Sequence, residues 1–358
     1  MEHDVGVNNL QLHLGASNSV SSILSLKSEQ MSPLLSNERG DSQDIQQEPN
    51  KGLPKLLDYS SYLIHLAVFG ILGVLTRYTL DKLFGPSVGH VTSDQTILYL
   101  DLPSNMVGSF LMGWFGVVFK EDISNVSGYL AVALTTGYLG SLTTFSGWNQ
   151  KMLELGVTGN WLFVVLGFLI GLFLVAFSII FGIETAKGFK WLLRRLNMTS
   201  GSETSKAKDE GFKLQLTVMV VLLLILGLLW SLSGVLMISE FRNGENSFLW
   251  IACMVGPLGV WIRWLLSRLN GHGLGSRDLL SWIPFGTLIA NVSAACIMAA
   301  LATTKIYVNT RDCDTIIKGI QFGLMGCLST VSTFVAEFNK MREGMYPWRA
   351  YELSYLVH

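Results

Sequence analysis

From about residue 60 to residue 340 this chain alternates long apolar runs with short polar gaps, and inside the runs small and hydroxyl residues recur on helical rather than strand spacing. About 20 apolar residues suffice for a helix to cross ~30 Å of hydrocarbon. The pattern predicts spans at about 60–80, 97–119, 128–153, 161–183, 214–238, 248–269, 281–304 and 315–339. Two spans are interrupted by one pattern. Gly137-Tyr-Leu-Gly-Ser-Leu-Thr-Thr-Phe-Ser-Gly-Trp148 returns as Gly323-Leu-Met-Gly-Cys-Leu-Ser-Thr-Val-Ser-Thr-Phe334, with five of twelve positions identical. A helix that only faces lipid needs neither the glycines nor the hydroxyls. A helix broken at mid-membrane does, because non-helical backbone survives there only where it is buried in protein or lines a wet cavity.

The two copies lie 186 residues apart, and the same offset maps Arg77 onto Arg263 and Asn105 onto Asn291. Around the arginines, Gly70, Leu72, Gly73 and Val74 recur as Gly256, Leu258, Gly259 and Val260 without a gap. The chain is therefore an internal duplication. For Arg77 two readings stay open: an anchor snorkelling to the interface, or a structural arginine paired inside the protein, which its repetition at Arg263 favours. A membrane asparagine is ordinarily an interhelical hydrogen-bonder, but its duplication and its anion-suited N–H groups make Asn105 and Asn291 candidate ligands.

Composition agrees with a membrane class: 50% of residues are hydrophobic, 14% are charged and mean hydropathy is +0.43. A net charge of −1 makes no case for nucleic acid. The four cysteines have no metal spacing and read as small core residues. Residues 1–58 lack apolar periodicity and read as a disordered cytosolic tail. Residues 184–213 carry Lys187, Lys190, Arg194, Arg195 and further lysines, so the positive-inside rule makes them a cytosolic loop, its first part also suited to an interfacial helix. The single span 214–238 belongs to neither repeat. Four spans, 59–183, followed by one connector force the second unit, 248–358, to enter from the opposite side. The expected fold is thus all-α, with two inverted-topology four-span repeats joined by a connector span. Arg268, Arg277, Lys340, Arg342 and Arg349 flank the loops this places in the cytosol. The last span of the second repeat is missing from the pattern, since 347–358 is too short and polar to cross.

The motif GxxG-x-L-[TS]-T-[FV]-S, with a preceding span-two asparagine and span-one arginine, resembles the fluoride channels called Fluc or CrcB in bacteria and FEX exporters in eukaryotes; the likeness covers about residues 60–340. The resemblance implies a structural sodium ion held by main-chain carbonyls of the two broken helices, at Gly140, Thr143, Gly326 and Ser329. A hard cation wants such oxygen ligands. It also implies a fluoride route lined by Asn105, Asn291, Ser146 and Ser332, with Arg77 and Arg263 structural. The family's paired pore phenylalanines fall on Phe145 and Trp148 in one unit and on Val331 and Phe334 in the other, so one pore keeps Phe145 with Phe334. The positive edge of an aromatic ring can face an anion.

These residues lead us to expect a fluoride-selective channel, not an enzyme, working as a monomeric fused pseudo-dimer in the lipid bilayer of the plasma membrane, with a cytosolic N-terminus. An inside-negative potential drives anion exit by about 2.3 kcal/mol per charge per 100 mV, so no energy source is needed. The competing class is a small inverted-repeat secondary transporter of another anion or solute, which should carry a mid-membrane carboxylate. Glu337, a match to a family glutamate, stands near the end of its helix, and Lys151 holds that place in the first unit. Because the final span is missing, the 358-residue form is expected to be folded but impaired, unless the pore with Phe145 and Phe334 draws on the first unit alone.

Overall fold

The computed structural model describes residues 55–93, 96–196, 208–241, 244, 246–271, 282–344 and 348. Among them every regular element is helical. The first unit contains α1 (Lys55–Phe84), α2 (Leu102–Leu111) running into a π segment (Met112–Val118), α3 (Lys120–Val126), α4 (Gly128–Val132) running into a second π segment (Ala133–Leu139), α5 (Gly140–Leu142), α6 (Ser146–Val157) and α7 (Trp161–Arg195). The connector is α8 (Lys208–Glu240). The second unit contains α9 (Ser247–Leu266), α10 (Phe285–Val308), α11 (Arg311–Ile320) running into a third π segment (Gln321–Met325), α12 (Gly326–Leu328) and α13 (Ser332–Arg342).

Six helical stretches are long and apolar enough to cross a membrane, or seven if the pair Leu102–Val118 and Lys120–Val126, bent by 67°, counts as one span. The sequence predicts eight. The one that fails the length test is the third, which the break after Leu142 cuts into pieces. Boundaries shift as well. Helix α1 begins at Lys55, inside the stretch read as tail, because Asp58 in its first turn accepts a hydrogen bond from the Tyr129 hydroxyl of α4 and is thereby tied to the bundle. The reading of residues 1–54 lies outside the described residues. The basic loop is also largely helical at its ends: α7 continues past the apolar run to Arg195, and α8 starts at Lys208. Arg277, Arg349 and nearly all of 345–358, including the predicted missing span, lie outside the described residues.

Glycines set how closely the helices cross, and they do so in matched positions. A side chain at Gly73 would meet the Tyr138 carbonyl and Ser141; one at Gly259 would meet the Leu324 carbonyl and Cys327. All three pairs are 186 apart. Each first helix of a unit thus lies backbone to backbone on its own unit's π segment. At the α2–α7 crossing a Cβ on Gly182 would strike the Phe110 carbonyl. Helix α8 is different. It is mostly exposed, touches α1 and α9, and its Gly227 and Gly234 face open space.

Gly182→Leu is therefore expected to destabilise the protein by roughly 1–3 kcal/mol through overpacking against backbone. Gly227→Leu should leave stability unchanged or raised by up to about 1 kcal/mol through helix propensity. Thermal unfolding of both variants in one detergent checks the contrast.

Candidate functional site

Both breaks fall inside the duplicated motif. Helix α5 ends at Thr143, extended at φ −98° and ψ 147°, and α12 ends at Ser329, extended at φ −86° and ψ 157°. A helix end leaves amides and carbonyls without helical partners, and in hydrocarbon each must be satisfied from within the protein. The asparagines do this. The Thr144 amide donates to Asn105 Oδ1 at 2.8 Å and Asn105 Nδ2 donates back to the Thr144 carbonyl at 3.0 Å. Thr330 and Asn291 repeat both bonds at the same distances. Each carboxamide acts as one rung of a ladder, and both asparagines are buried.

Three further amides are satisfied across the units. Ser329 Oγ accepts from the amides of Phe145 at 3.2 Å and Ser146 at 3.0 Å, while Thr143 Oγ1 accepts from the Ser332 amide at 3.2 Å. Hydroxyls join hydroxyls at 2.9 Å from Thr143 to Ser332 and from Ser146 to Ser329. Under the offset of 186 the first of these bonds becomes the second, reversed. Such reciprocity is how a two-fold contact between like units behaves. Ser146 and Ser332 therefore stand in a central hydroxyl cluster between the two breaks, and each is wholly buried.

The arginines complete the exchange. Arg77 Nη2 donates to the carbonyl of Phe322, and Arg263 Nη2 donates to that of Thr136 at 2.7 Å. Positions 136 and 322 are again 186 apart, and both lie in π segments, where the i→i+5 register displaces carbonyls from their usual donors. Arg77 is 1% exposed and Arg263 4%, which decides between the two readings of Arg77: it is a structural arginine spanning the units. Its guanidinium also sits 4.3 Å from the Phe322 ring centroid. The guanidiniums occupy the space where side chains on Gly326 and Gly140 would project.

The breaks also redirect the donors of four carbonyls. In an unbroken helix the amides of Thr144 and Gly147 would reach the carbonyls of Gly140 and Thr143. Instead they donate to Asn105 and, at 3.3 Å, to Thr144 Oγ1. The amides of Thr330 and Thr333 likewise turn to Asn291 and, at 3.5 Å, to Thr330 Oγ1, which relieves Gly326 and Ser329 of those donors. Among the described residues no group of His, Cys, Asp and Glu side chains could hold a metal ion.

The aromatic positions fall into distinct surroundings. Phe145 meets Trp148 edge-on, centroids 6.2 Å apart at 78°, and Trp148 stacks at 5.7 Å on Tyr99, whose hydroxyl accepts from Asn105. Phe334 is buried on α13, and α13 crosses over to pack on α2, α7 and the Met112–Val118 segment of the other unit. Helix α6, with Phe145 and Trp148, packs on α7 and on α10. Val331 is buried in the same apolar cluster as Phe145 and Phe334.

Sequence reasoning missed three features. Tyr99, six residues before Asn105, carries no motif. Glu337 is held more firmly than its place near a helix end implies: Asn270 and Thr287 donate to its Oε1 at 3.0 and 2.9 Å, and Asn270 also accepts from the Gly286 amide at the start of α10. The third is a cavity of about 210 Å³ beside the crossing, lined by Arg77, Thr144, Gln150, Lys318, Gln321 and Gly326 among others. Its residues come from both units, so only the fold assembles it.

A multi-helix membrane protein whose two broken helices satisfy one another by reciprocal hydrogen bonds is the class this geometry defines. The family model described as CrcB-like protein, Camphor Resistance (CrcB), matches residues 64–183 and 250–357, and the chain belongs to that family. Among its relatives, the "Fluoride-specific ion channel FluC 2" of Listeria monocytogenes serovar 1/2a is 32% identical over 126 residues, which is 33% of this chain and 87% of that protein. The "Fluoride-specific ion channel FluC" of Geotalea uraniireducens is 31% identical over 134 residues, 36% of this chain and 91% of that one. The namesake from Geotalea daltonii is 36% identical over 93 residues, 26% and 70%. No solved structure matches this chain.

Replacing Asn291 with leucine orphans the amide and carbonyl of Thr330, a cost of roughly 1–3 kcal/mol per buried group. Hydrogen exchange at the Thr330 amide should accelerate strongly in Asn291→Leu, while amides in the middle of α8 keep their native rates.

Proposed function

We infer that this chain is a fluoride-specific channel that lets fluoride leave the cytosol passively. The observation that carries the reading is the reciprocal break at mid-bundle in a chain of the CrcB family, two stretches of which match the family model. Two inverted units on one chain supply what two copies of a single-unit relative would, so the protein works as a monomer. Reciprocal bonds between Arg77 and Phe322 and between Arg263 and Thr136 support that arrangement. The transporter alternative asks for a carboxylate at the level of the breaks. Glu337 stands five residues into α13, about 8 Å along its axis beyond Ser332, and is tied to Asn270 and Thr287.

Charge orients the protein. The ends of α7, α9 and α13 carry Lys190, Arg194, Arg195, Arg268, Lys340 and Arg342, and all three face the side from which α1 starts. The positive-inside rule puts that side, and the N-terminus, in the cytosol of a plasma-membrane protein. A sodium ion fits between the breaks: the carbonyls of Gly140, Thr143, Gly326 and Ser329 have lost their helical donors, and hard oxygens suit it. Bound there it would be structural, its charge held by carbonyl oxygens from both breaks. The pore runs along α2, α7 and α13, where Phe334 lies, with Phe145 contributed from the adjoining break and Asn105 beside it; Asn291 holds the corresponding place in the other unit.

Purified protein in lipid vesicles should release fluoride far faster than chloride; absence of selective release refutes the reading. Phe145→Ile and Phe334→Ile should each abolish fluoride release, whereas Val331 and Trp148 substitutions should be mild, and equal loss at all four positions would argue against a single working pore. For the ion, exchanging sodium for N-methylglucamine should lower the unfolding temperature. An unfolding temperature that ignores sodium over the same range of ionic strength would remove the ion from the structure.

A further inference from the structure

We propose that Asp101 is a positioning residue of the channel, one that sets the half-helix α6, and with it Phe145 and Trp148, against the head of the second span; the inference rests on the channel reading above. Asp101 stands at the N-cap of α2, where an aspartate ordinarily accepts a hydrogen bond from the first turn of its own helix. This one does not, although its main-chain carbonyl accepts from the Ser104 hydroxyl at 2.8 Å. The carboxylate reaches across to α6 instead. Asp101 Oδ2 occupies the space where a side chain on Gly147 would project. Helix α6 has no acid in its own first turn, so Asp101 brings negative charge to the positive end of that helix from outside.

The stretch 99–105 thus grips the break at three levels. Tyr99 stacks on Trp148, Asp101 lies on Gly147 and Asn105 closes on Thr144. Lys151 stands one turn beyond Gly147 on the same face of α6 and, with Asp101 and Tyr99, lines a cavity of about 180 Å³. Asp81 and Glu154 line it too. The Lys151 side chain is only 11% exposed, whereas Glu154, its ion-pair partner at 3.5 Å, is 55% exposed and screened by water.

The second observation comes from the repeat. The offset of 186 carries Asp101, Gly147 and Lys151 to Thr287, Thr333 and Glu337. Each set is complementary within itself and exchanged against the other. In the second unit the carboxylate belongs to the half-helix and the short hydroxyl to the second span, with Thr287 donating to Glu337 at 2.9 Å. In the first unit the carboxylate belongs to the span, the half-helix gives up its side chain at 147 to admit it, and a cation stands at 151. Three positions that meet at one contact differ together, so they form one device: a tie between the second span and the half-helix, built with the acid on the opposite partner.

Moving the second unit's set into the first tests this, with fluoride release from vesicles and thermal unfolding measured on every variant. Gly147→Thr drives a side chain into the Asp101 carboxylate, and Asp101→Thr leaves Gly147 uncovered; each alone should lower fluoride release by about tenfold. The triple variant Asp101→Thr/Gly147→Thr/Lys151→Glu should recover release to within about threefold of the parent, because the three substitutions complement one another. Single variants that release fluoride as the parent does overturn the inference and leave the channel intact. A triple variant no better than the worse single overturns it as well. Recovery of the parent's unfolding temperature without its fluoride release marks a purely structural role and overturns it too. A parent protein that passes no fluoride removes the channel reading itself.

Discussion

Hydrocarbon offers no water to an unpaired amide, and the whole arrangement follows from that constraint. Breaking two helices at mid-membrane strands several backbone groups, each worth a few kcal/mol if left alone. The chain meets the demand with side chains on fixed neighbours: a carboxamide from the second span closes each break from one side, and a hydroxyl from the opposite break closes it from the other. The small residues of the motif are consequences. Glycines at 140 and 326 make room for guanidiniums, and threonine or serine at 143 and 329 presents a hydroxyl short enough to serve the partner's amides.

Buried arginine is expensive in such a setting, about 3 kcal/mol by insertion scales. Two of them at the centre make sense because each ends on a carbonyl that its host π turn leaves displaced, in the other unit. Positive charge concentrated at the crossing also makes the interior hospitable to an anion while it opposes a cation. A sodium ion there would depend on carbonyl oxygens alone, which sets a narrow electrostatic balance between the two guanidiniums and the ion.

The spans, the repeat and the positions of the breaks were legible because each rests on local pattern: apolar length, a fixed offset, and glycine with hydroxyls where lipid would not require them. Asn105 and Asn291 were legible as important, but their partners were not, since the bond to Thr144 or Thr330 joins residues 39 apart. The choice between two roles for Arg77 could not be made from its neighbours in sequence, because its partner, Phe322, lies 245 residues away. Span count suffered for the opposite reason. A broken helix keeps its apolar composition while losing its continuity, so the third span is plain in the sequence and fragmented in the fold. Tyr99, Asn270 and Thr287 carry no pattern at all; packing alone brings the first onto Trp148 and the other two onto Glu337.

The crossed arginines bear on how the protein is made. Arg77 and the Thr136 carbonyl both belong to the first unit, yet their partners, Phe322 and Arg263, arrive only with the second. At 5–20 residues per second, the 245 residues separating Arg77 from Phe322 take roughly 12 to 50 seconds to synthesise, and the 127 separating Thr136 from Arg263 roughly 6 to 25 seconds. For that interval a half-built protein resides in the bilayer with a guanidinium and a carbonyl awaiting partners that the ribosome has yet to translate. Biogenesis therefore contains an obligatory waiting period, and the connector α8 is the last helix made before the second unit begins.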